Sequence, residues 1–303
     1  MLTRKYRGLR VIDKKIAVLI DADNVSSKYI KPILDELTKY GTPTYKRIYG
    51  DWTKPEMAAW KNVLLTWSIT PLQQYNYTSG KNATDSSMII DAMDILYTGH
   101  VDSFCIVSSD SDFTRLAARL REAGMHVIGM GEKKTPQPFI SACEVFKYLE
   151  VLASDGALDS DETPASDEPS APGKEAEGNP GRDPQASARF LADKVSVSGR
   201  EEIIKTIQKI VSDTSEEDGW AFLGMVGNVL NKQKPDFDSR NYGYQKLTQF
   251  VKSLDSFEIE HRPTNNPGIK HTYIRNLSGR KPVRRRRPQS GIVKKTQTNP
   301  ENA

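Results

Sequence analysis

The sequence predicts an α/β fold, a parallel sheet with helices on both faces, followed by a small winged helix-turn-helix domain. Between residues 15 and 150, short apolar runs alternate with amphipathic runs, which is typical of a parallel sheet with helical crossovers. Between residues 199 and 277, three helical runs precede two strand-like runs. The intervening segment is rich in Pro, Gly, Ser, Asp and Glu, and such a composition cannot bury enough apolar surface to fold.

Five strands are expected in the first region. The run IAVLI is continuously apolar, as in a strand buried on both faces, whereas TYKRIYG alternates between polar and apolar residues. The expected strands are 16–20, 44–50, 69–77, 103–108 and 125–131, and we take 125–131 as the last of the region.

Helices are expected between these strands, and Ser26 or Ser27 can cap the first of them. Pro55 suits the first turn of the second helix, and Gly41 and Gly124 follow the first and fourth. The expected helices begin at Ser26 or Ser27, near Lys54, at Thr84 or Asp85, and near Asp112.

The second region predicts three helices and a hairpin, the elements of a winged helix-turn-helix. The expected helices are 201–211, a run opened by Gly219 and Trp220, and 242–254, and the expected strands are 257–263 and 270–276. We therefore divide the chain into a domain at 15–150, a disordered acidic linker at 154–190, a winged-helix domain at 199–277 and a disordered basic tail at 278–303.

Charge is unevenly distributed along the chain, although the net charge is only +4. Residues 154–185 include nine acidic and two basic residues, whereas the tail at 278–303 includes eight basic residues and one acidic residue. A basic tail that contains Arg284–Arg287 favours a polyanionic partner. It could also serve only to keep the chain soluble, or act as a nuclear localisation signal in a eukaryote.

Cysteine and histidine usage argues against a disulfide scaffold and against a zinc site. Cys105 and Cys143 are the two cysteines, and the four histidines show no paired Cys/His spacing. Two cysteines in a chain of this length indicate a reducing compartment, so we expect a cytoplasmic protein. No apolar run reaches the roughly 18 residues of a membrane span.

Acidic residues follow the strands of the predicted sheet. Because the carboxyl ends of parallel strands meet at one edge, these side chains are expected to lie close together. They are Asp21 and Asp23, with Asn24, after the first strand, Asp85 at the start of the third helix, and Asp110 and Asp112 after the fourth strand.

Clustered carboxylates repel one another, and a divalent cation relieves that repulsion. With only oxygen ligands present, Mg²⁺ or Mn²⁺ fits best. Either metal lowers the pKa of a bound water and stabilises charge on a phosphodiester during displacement. Asn24 can orient a water or a phosphate oxygen without adding charge. The sequence thus predicts a phosphodiester hydrolase.

Each acid also has an ordinary structural interpretation. Asp21 could cap the turn after the first strand, and Asp85 could be a helix N-cap. Asp110 and Asp112 could initiate the helix that follows them. Asp23 could be a turn former rather than a residue that supports the metal ligands. Asp91, within the third helix, could be a support residue or a surface carboxylate.

Three motifs resemble the NYN domain, LabA-like branch, a relative of the PIN nucleases. They are IDADN (20–24), KNATDSSMIIDAMDIL (81–96) and SSDSDFTRLAARLREAGMHVIGMG (108–131). The resemblance covers 15–150 and implies a PIN-like fold and a metal-dependent nuclease acting on RNA. It assigns the acidic set to Asp21, Asp85, Asp110 and Asp112, with Asn24 as polar companion. Lys81 matches a lysine common in the family. Ser109 replaces a frequent glycine and could donate to a phosphate.

The run DGWAFLGMVGNVLNKQKPDFDSRNYGYQKLTQFVKSLDSFEI (218–259) resembles the LOTUS domain, also called OST-HTH. Phe237, Tyr242 with Gly243, and Leu247 carry the resemblance, which implies RNA binding or protein docking. The basic residues placed to contact phosphates are Lys232, Lys234, Arg240, Lys246 and Lys252. Tyr242 and Tyr244 could stack on unpaired bases. Alternatively, Trp220, Phe222 and Tyr242 belong to the core.

Three functions remain open from the sequence. The favoured one is an endoribonuclease whose second domain, on a flexible linker, raises the local RNA concentration. A second is a haloacid-dehalogenase-like phosphatase, since DADNV resembles its DxDx(T/V) motif with Asp21 as nucleophile and Asp23 as acid/base. A third is a non-catalytic RNA-binding regulator. RNA is the expected partner, a protein partner or a homodimer is also open, and RNA is not distinguished from DNA.

Overall fold

The computed structural model describes residues 13–75, 83–156, 197–263 and 270–277. Several expectations fall outside these residues. They concern Lys81, the predicted linker beyond residue 156, the turn between the last two strands, and the basic tail with Arg284–Arg287.

The first domain is built on a six-stranded sheet in the order β3-β2-β1-β4-β5-β6, with every neighbouring pair parallel. This arrangement confirms the predicted parallel sheet. The strand order reverses between β1 and β4, which is where ligands bind in open sheets of this kind. The strands are β1 (Lys15–Asp21), β2 (Thr42–Gly50), β3 (Thr70–Gln73), β4 (Ser103–Val107), β5 (His126–Gly131) and β6 (Val145–Tyr148).

Helices cover both faces of this sheet, because alternate residues of β1 face opposite sides. Val18 and Ile20 pack into one core with α1, α2 and α6, whereas Ala17 and Leu19 pack into a second core with α3, α4 and α5. All four side chains are fully buried. The helices are α1 (Ile30–Leu37), α2 (Trp60–Trp67), α3 (Ala83–Thr98), α4 (Thr114–Glu122), α5 (Gln137–Ala142) and α6 (Leu149–Gly156).

The sheet extends one strand beyond the sequence prediction. We expected 125–131 to be the last strand, but α5, β6 and α6 follow it. The strand β6 has four residues, VFKY, two of which are polar, so it lacks the continuous apolar run of the central strands. Short 3-10 turns precede α1, α2 and α4, so these helices begin later than expected.

The second domain combines helices with a small antiparallel sheet in the order β7-β9-β8. Gly219 and Trp220 lead into β7 rather than directly into a helix. The predicted helix 242–254 begins five residues later, because Gly243 has φ 82 and interrupts it. The elements are α7 (Val197–Thr214), β7 (Ala221–Phe222), α8 (Leu223–Gln233), α9 (Leu247–Lys252), β8 (Phe257–Pro263) and β9 (Lys270–Asn276).

An arginine of the second domain is clamped by carboxylates of the first. Arg240 donates two hydrogen bonds of 3.0 Å to Glu36 at the end of α1, and one of 2.8 Å to Asp155 in α6. Within its own domain it also pairs with Asp238. The Arg240 and Glu36 side chains are only 11% and 4% exposed. We call these residues the Arg240 clamp.

The segment before Arg240 lies against the outer edge of β6. The Phe146 N–H donates to the Pro235 carbonyl at 2.8 Å, and the Tyr148 hydroxyl donates to Asp236 at 3.1 Å. Lys147 pairs with Asp238 at 2.5 Å. The two domains therefore contact each other directly, whereas the sequence predicted a flexible tether with no fixed geometry. Among the described residues, no helix is both long and apolar enough to span a bilayer.

We expect Arg240→Ala to separate the two domains without unfolding either. Removing one member of a buried ion pair costs about 3–5 kcal/mol, because the other charge is left uncompensated. Here that cost opposes docking, since separation returns Glu36 and Asp155 to water. Small-angle scattering should report a larger radius of gyration.

The matched control is Arg262→Ala, which removes a more exposed arginine pair inside the second domain. It should leave the scattering profile unchanged. An Arg240→Ala profile that superimposes on the wild type would show that the clamp does not hold the domains together.

Candidate metal centre

The predicted acids gather at the carboxyl ends of β1 and β4, which are neighbours in the sheet. Asp21 is the last residue of β1, and Asp110 comes three residues after the end of β4. Asp85 lies in the first turn of α3, which packs on β1. The parallel topology thus converts distant sequence positions into one cluster at one edge.

Three of the acids approach closely enough to share a cation. Asp85, Asp110 and Asp112 each offer a carboxylate oxygen, and these oxygens lie within 4.8 Å of one another. Burial raises the pKa of Asp85 to about 6, and the negative charges of Asp21, Asp110 and Asp112 add to that rise. The donor set consists only of oxygen and carries excess negative charge, so it fits a hard divalent cation.

Asp21 lies beneath this group rather than within it. Its carboxylate has no exposed surface and accepts hydrogen bonds from the Asn24 amide at 2.7 Å and the Ser108 hydroxyl at 2.8 Å. Burial raises the pKa of Asp21 despite these bonds. A side chain so enclosed is poorly placed to attack a phosphate ester, which disfavours the phosphatase hypothesis. The amide nitrogen of Asn24 is committed to this hydrogen bond with Asp21.

Ser108 links Asp21 to the acidic segment that follows β4. Its hydroxyl donates to Asp21 and accepts the backbone N–H of Asp110 at 3.1 Å. Ser108 was not among the predicted site residues, because a serine next to several acids has no distinctive signature in a sequence. Its position directly after a buried strand, beside Asp21, was the available signal.

Gly131, the last residue of β5, allows this segment to pack closely. A Cβ at this position would lie 2.6 Å from the Ser108 carbonyl oxygen and 2.5 Å from the Thr135 hydroxyl. Ser108 also donates its own N–H to the Met130 carbonyl at 3.0 Å. The backbone that carries the acids is therefore fixed between β1 and β5.

Asp110 combines the two interpretations that the sequence left open. One oxygen accepts the Asp112 N–H at 2.9 Å and caps the 3-10 turn Ser111–Phe113. Its carboxylate still contributes an oxygen to the group of three. Asp112 is more exposed and lies in the first turn of that helix. Capping fixes the orientation of Asp110 and does not exclude metal binding.

Asp23 lies at the exposed side of the cluster. Its two oxygens accept hydrogen bonds from Lys54 at 3.3 Å and from the Thr84 hydroxyl at 3.1 Å. Lys54 brings a positive charge to an otherwise acidic edge. Sequence spacing could not reveal it, because Lys54 is 31 residues from Asp23 and precedes a different helix.

Asp91 acts on the flank of the site as a support residue. Its carboxylate accepts hydrogen bonds from Arg47 and from the Tyr49 hydroxyl, both on β2. Burial and the Asp91 charge raise the pKa of Tyr49, so the phenol remains a donor. This contact ties α3, which carries Asp85, to the sheet.

Several residues predicted to contact RNA have other roles. Ser109 is buried, and its hydroxyl accepts the Glu132 N–H at 2.9 Å. Arg240 is held in the clamp, so the prediction that it binds phosphate does not fit this geometry. Tyr242 stacks on Phe250 with ring centroids 4.7 Å apart. Lys234 pairs with Glu202 at 2.6 Å.

Other residues of the second domain remain exposed. Lys232 and Lys246 face solvent, as the RNA-binding prediction requires. Phe222 is 39% exposed, so its assignment to the core was wrong. Trp220 lies between Arg262 and Arg275, with guanidinium-to-ring distances of 5.5 and 4.7 Å.

Comparison with protein families assigns both parts of the chain. The NYN domain family matches residues 15–150, and the OST-HTH/LOTUS domain family matches residues 199–269. No curated protein matches the chain significantly.

Three solved structures are similar to parts of the chain. A protein of unknown function from Vibrio parahaemolyticus is 21% identical, with 44% of this chain and 91% of that chain covered and a TM-score of 0.38. An uncharacterised protein from Nitrosomonas europaea is 31% identical, with coverages of 40% and 95% and a TM-score of 0.23. A fragment of a Chromobacterium violaceum protein is 30% identical, with coverages of 27% and 89% and a TM-score of 0.23.

We expect Asp85→Asn to stabilise the protein in chelator at neutral pH. The pKa of Asp85 is raised to about 6, so ionisation of this carboxyl destabilises the fold. The loss of stability is present above pH 6 and fades as the pH falls towards 4. Asp85 is partly exposed, and screening reduces the effect to about 1 kcal/mol, or roughly 2–4 °C in Tm.

The same variant should lose the rise in Tm that Mn²⁺ gives the wild type. Asp94→Asn, at an exposed position of the same helix, is the matched control. It should change neither the Tm in chelator nor the rise in Tm with Mn²⁺. A lower Tm in chelator, or an undiminished response to Mn²⁺, would contradict the cluster as described.

Proposed function

Because the chain carries an NYN domain followed by an OST-HTH/LOTUS domain, we propose that it is a metal-dependent endoribonuclease that works in the cytoplasm. The families support a nuclease with RNA binding. The observation that carries the proposal is the close approach of Asp85, Asp110 and Asp112, whose oxygens lie within 4.8 Å. Cys105 and Cys143 are both buried and unpaired, in keeping with a reducing compartment.

Asp85, Asp110 and Asp112 would hold Mg²⁺ or Mn²⁺. When bound, such an ion lowers the pKa of a water and neutralises charge on a phosphodiester. Asp112, at the exposed side of the three, faces the solvent from which RNA arrives. The raised pKa of Asp85 is consistent with this role, because a cation removes the repulsion that raises it.

Asp21, Asn24 and Ser108 act as positioning residues in this proposal. Asp21 receives hydrogen bonds from Asn24 and Ser108, and Ser108 in turn accepts the N–H of Asp110. The chain of bonds fixes Asp110 without any of the three touching RNA. Precise placement matters because small displacements of catalytic groups cost large factors in rate.

Lys54 supplies the positive charge that an RNA backbone needs beside so many carboxylates. It contacts Asp23 at 3.3 Å and is 39% exposed at its side chain. An incoming phosphate oxygen can take the place of Asp23 as its partner, since both are anionic oxygen acceptors. Lys54 would then bind a phosphate next to the one that is cleaved.

We expect Asp110→Asn to abolish RNA cleavage while RNA binding persists, because it removes a metal ligand without changing side-chain shape. Asp94→Asn should cleave like the wild type. A circular single-stranded RNA is the preferred substrate, since only an endonuclease can open it. Cleavage should require Mg²⁺ or Mn²⁺ and stop in chelator.

Three results would overturn the proposal. The first is equal cleavage by the purified Asp110→Asn variant. The second is cleavage in chelator. The third is degradation restricted to RNA with free ends, which would replace an endonuclease with an exonuclease.

A further inference from the structure

A groove of about 600 Å³ opens between the two domains. Its first wall comes from the end of α4, the start of β5, and the end of α5 with the residues that follow it. Its second wall comes from α8 and the segment that follows it. The lining residues that matter here are Arg121, His126 and Ser141 on the first wall, and Asn228, Asn231 and Lys232 on the second.

The Arg240 clamp fixes the distance between these walls. Pro235 lines the groove and also accepts the Phe146 N–H at 2.8 Å. Five residues further along the chain, Arg240 is held by Glu36 and Asp155. A flexible tether alone would not hold the two walls in one arrangement.

The groove lining carries basic side chains, a residue type that contacts nucleic-acid phosphates. Lys232 is exposed and has no ion pair among the residues that the structure describes. Arg121 contacts the Ser141 and Ala142 carbonyls through one nitrogen, and its guanidinium has further N–H groups to donate. The carboxylate of Glu144, also in the lining, is hydrogen-bonded by His126.

Neutral polar groups accompany these cations. Asn228 and Asn231 are exposed on α8, and each amide offers both donors and acceptors to the edge of an unpaired base. Cations that contact the backbone, next to amides that can contact bases, favour single-stranded RNA over a protein strand or a small anion.

The groove lies at the opposite edge of the sheet from the carboxylate cluster. His126 is the first residue of β5, and Glu144 directly precedes β6, so both stand where these parallel strands begin. The cluster lies where the strands end. RNA in the groove would therefore not occupy the position of the scissile phosphate.

We propose that the interdomain groove is an RNA-binding site, formed jointly by the two domains, that holds a single-stranded segment away from the metal centre. Arg121 and Lys232 bind phosphates from opposite walls, and Asn228 and Asn231 contact bases. This site binds RNA whether or not the carboxylate cluster cleaves it.

The test measures binding of a short labelled single-stranded RNA by fluorescence anisotropy, in chelator so that no cleavage occurs. Losing one charged contact should weaken binding roughly tenfold. In Arg121→Ala/Lys232→Ala, the slope of log K against log salt should become shallower by about 1.4, because each phosphate contact on a single strand contributes about 0.7. Asn231→Asp, an exposed change, should also weaken binding.

Two comparisons separate the groove from a general charge effect. Lys61→Ala in α2 and Lys205→Ala in α7 each remove one positive charge outside the groove and should leave the affinity for RNA unchanged. Arg240→Ala keeps every lining residue but separates the two domains that form the walls. It should weaken RNA binding as much as the double variant.

The proposal is overturned if the double variant keeps wild-type affinity and salt slope. It is also overturned if Lys61→Ala and Lys205→Ala weaken binding to the same extent, or if Arg240→Ala has no effect. Because nothing here depends on cleavage, an inactive metal centre would leave these outcomes unaltered, and a failed groove would leave the nuclease proposal standing.

Discussion

The hydrogen bond from Ser108 to Asp21 joins the carboxyl ends of the two central strands, and the geometry of the acidic edge depends on it. The bond is 2.8 Å long and fully buried, so water does not compete with it. Ser108 also receives the Asp110 N–H, and Asp110 caps the next turn through Asp112. One internal carboxylate thus organises the acids that reach the surface.

The structure contains two clusters of carboxylates in which the pKa of a central acid shifts in opposite directions. Glu36 has a low pKa, because Arg240 and Lys39 compensate for its burial. Asp85 has a raised pKa, because its charged neighbours are acids. In the first cluster the protein's own basic side chains balance the carboxylates, and the cluster stabilises the contact between the domains. The second cluster concentrates negative charge, which is typical of a site arranged for a ligand rather than for stability.

The sequence predicted the acidic edge well, because parallel topology places strand ends together whatever the exact element boundaries. Asp85, Asp110 and Asp112 needed only correct strand and helix assignments. Arg240 was misassigned for a physical reason: a basic residue on a predicted surface looks the same whether it meets RNA or a carboxylate of another domain. The strand β6 was missed because two of its four residues are polar, so it gives no strong apolar signal.

The contact between Phe146 and Pro235 has a consequence for how the chain can be divided. An outer strand exposes unpaired N–H and C=O groups, which readily recruit a strand from another molecule. Here the Phe146 N–H donates to the Pro235 carbonyl of the neighbouring domain at 2.8 Å, and that domain covers the edge of the sheet. A fragment that stopped after α6 would leave that edge of the sheet uncovered and be prone to self-association and precipitation. A chain that keeps both domains is therefore the better-behaved material.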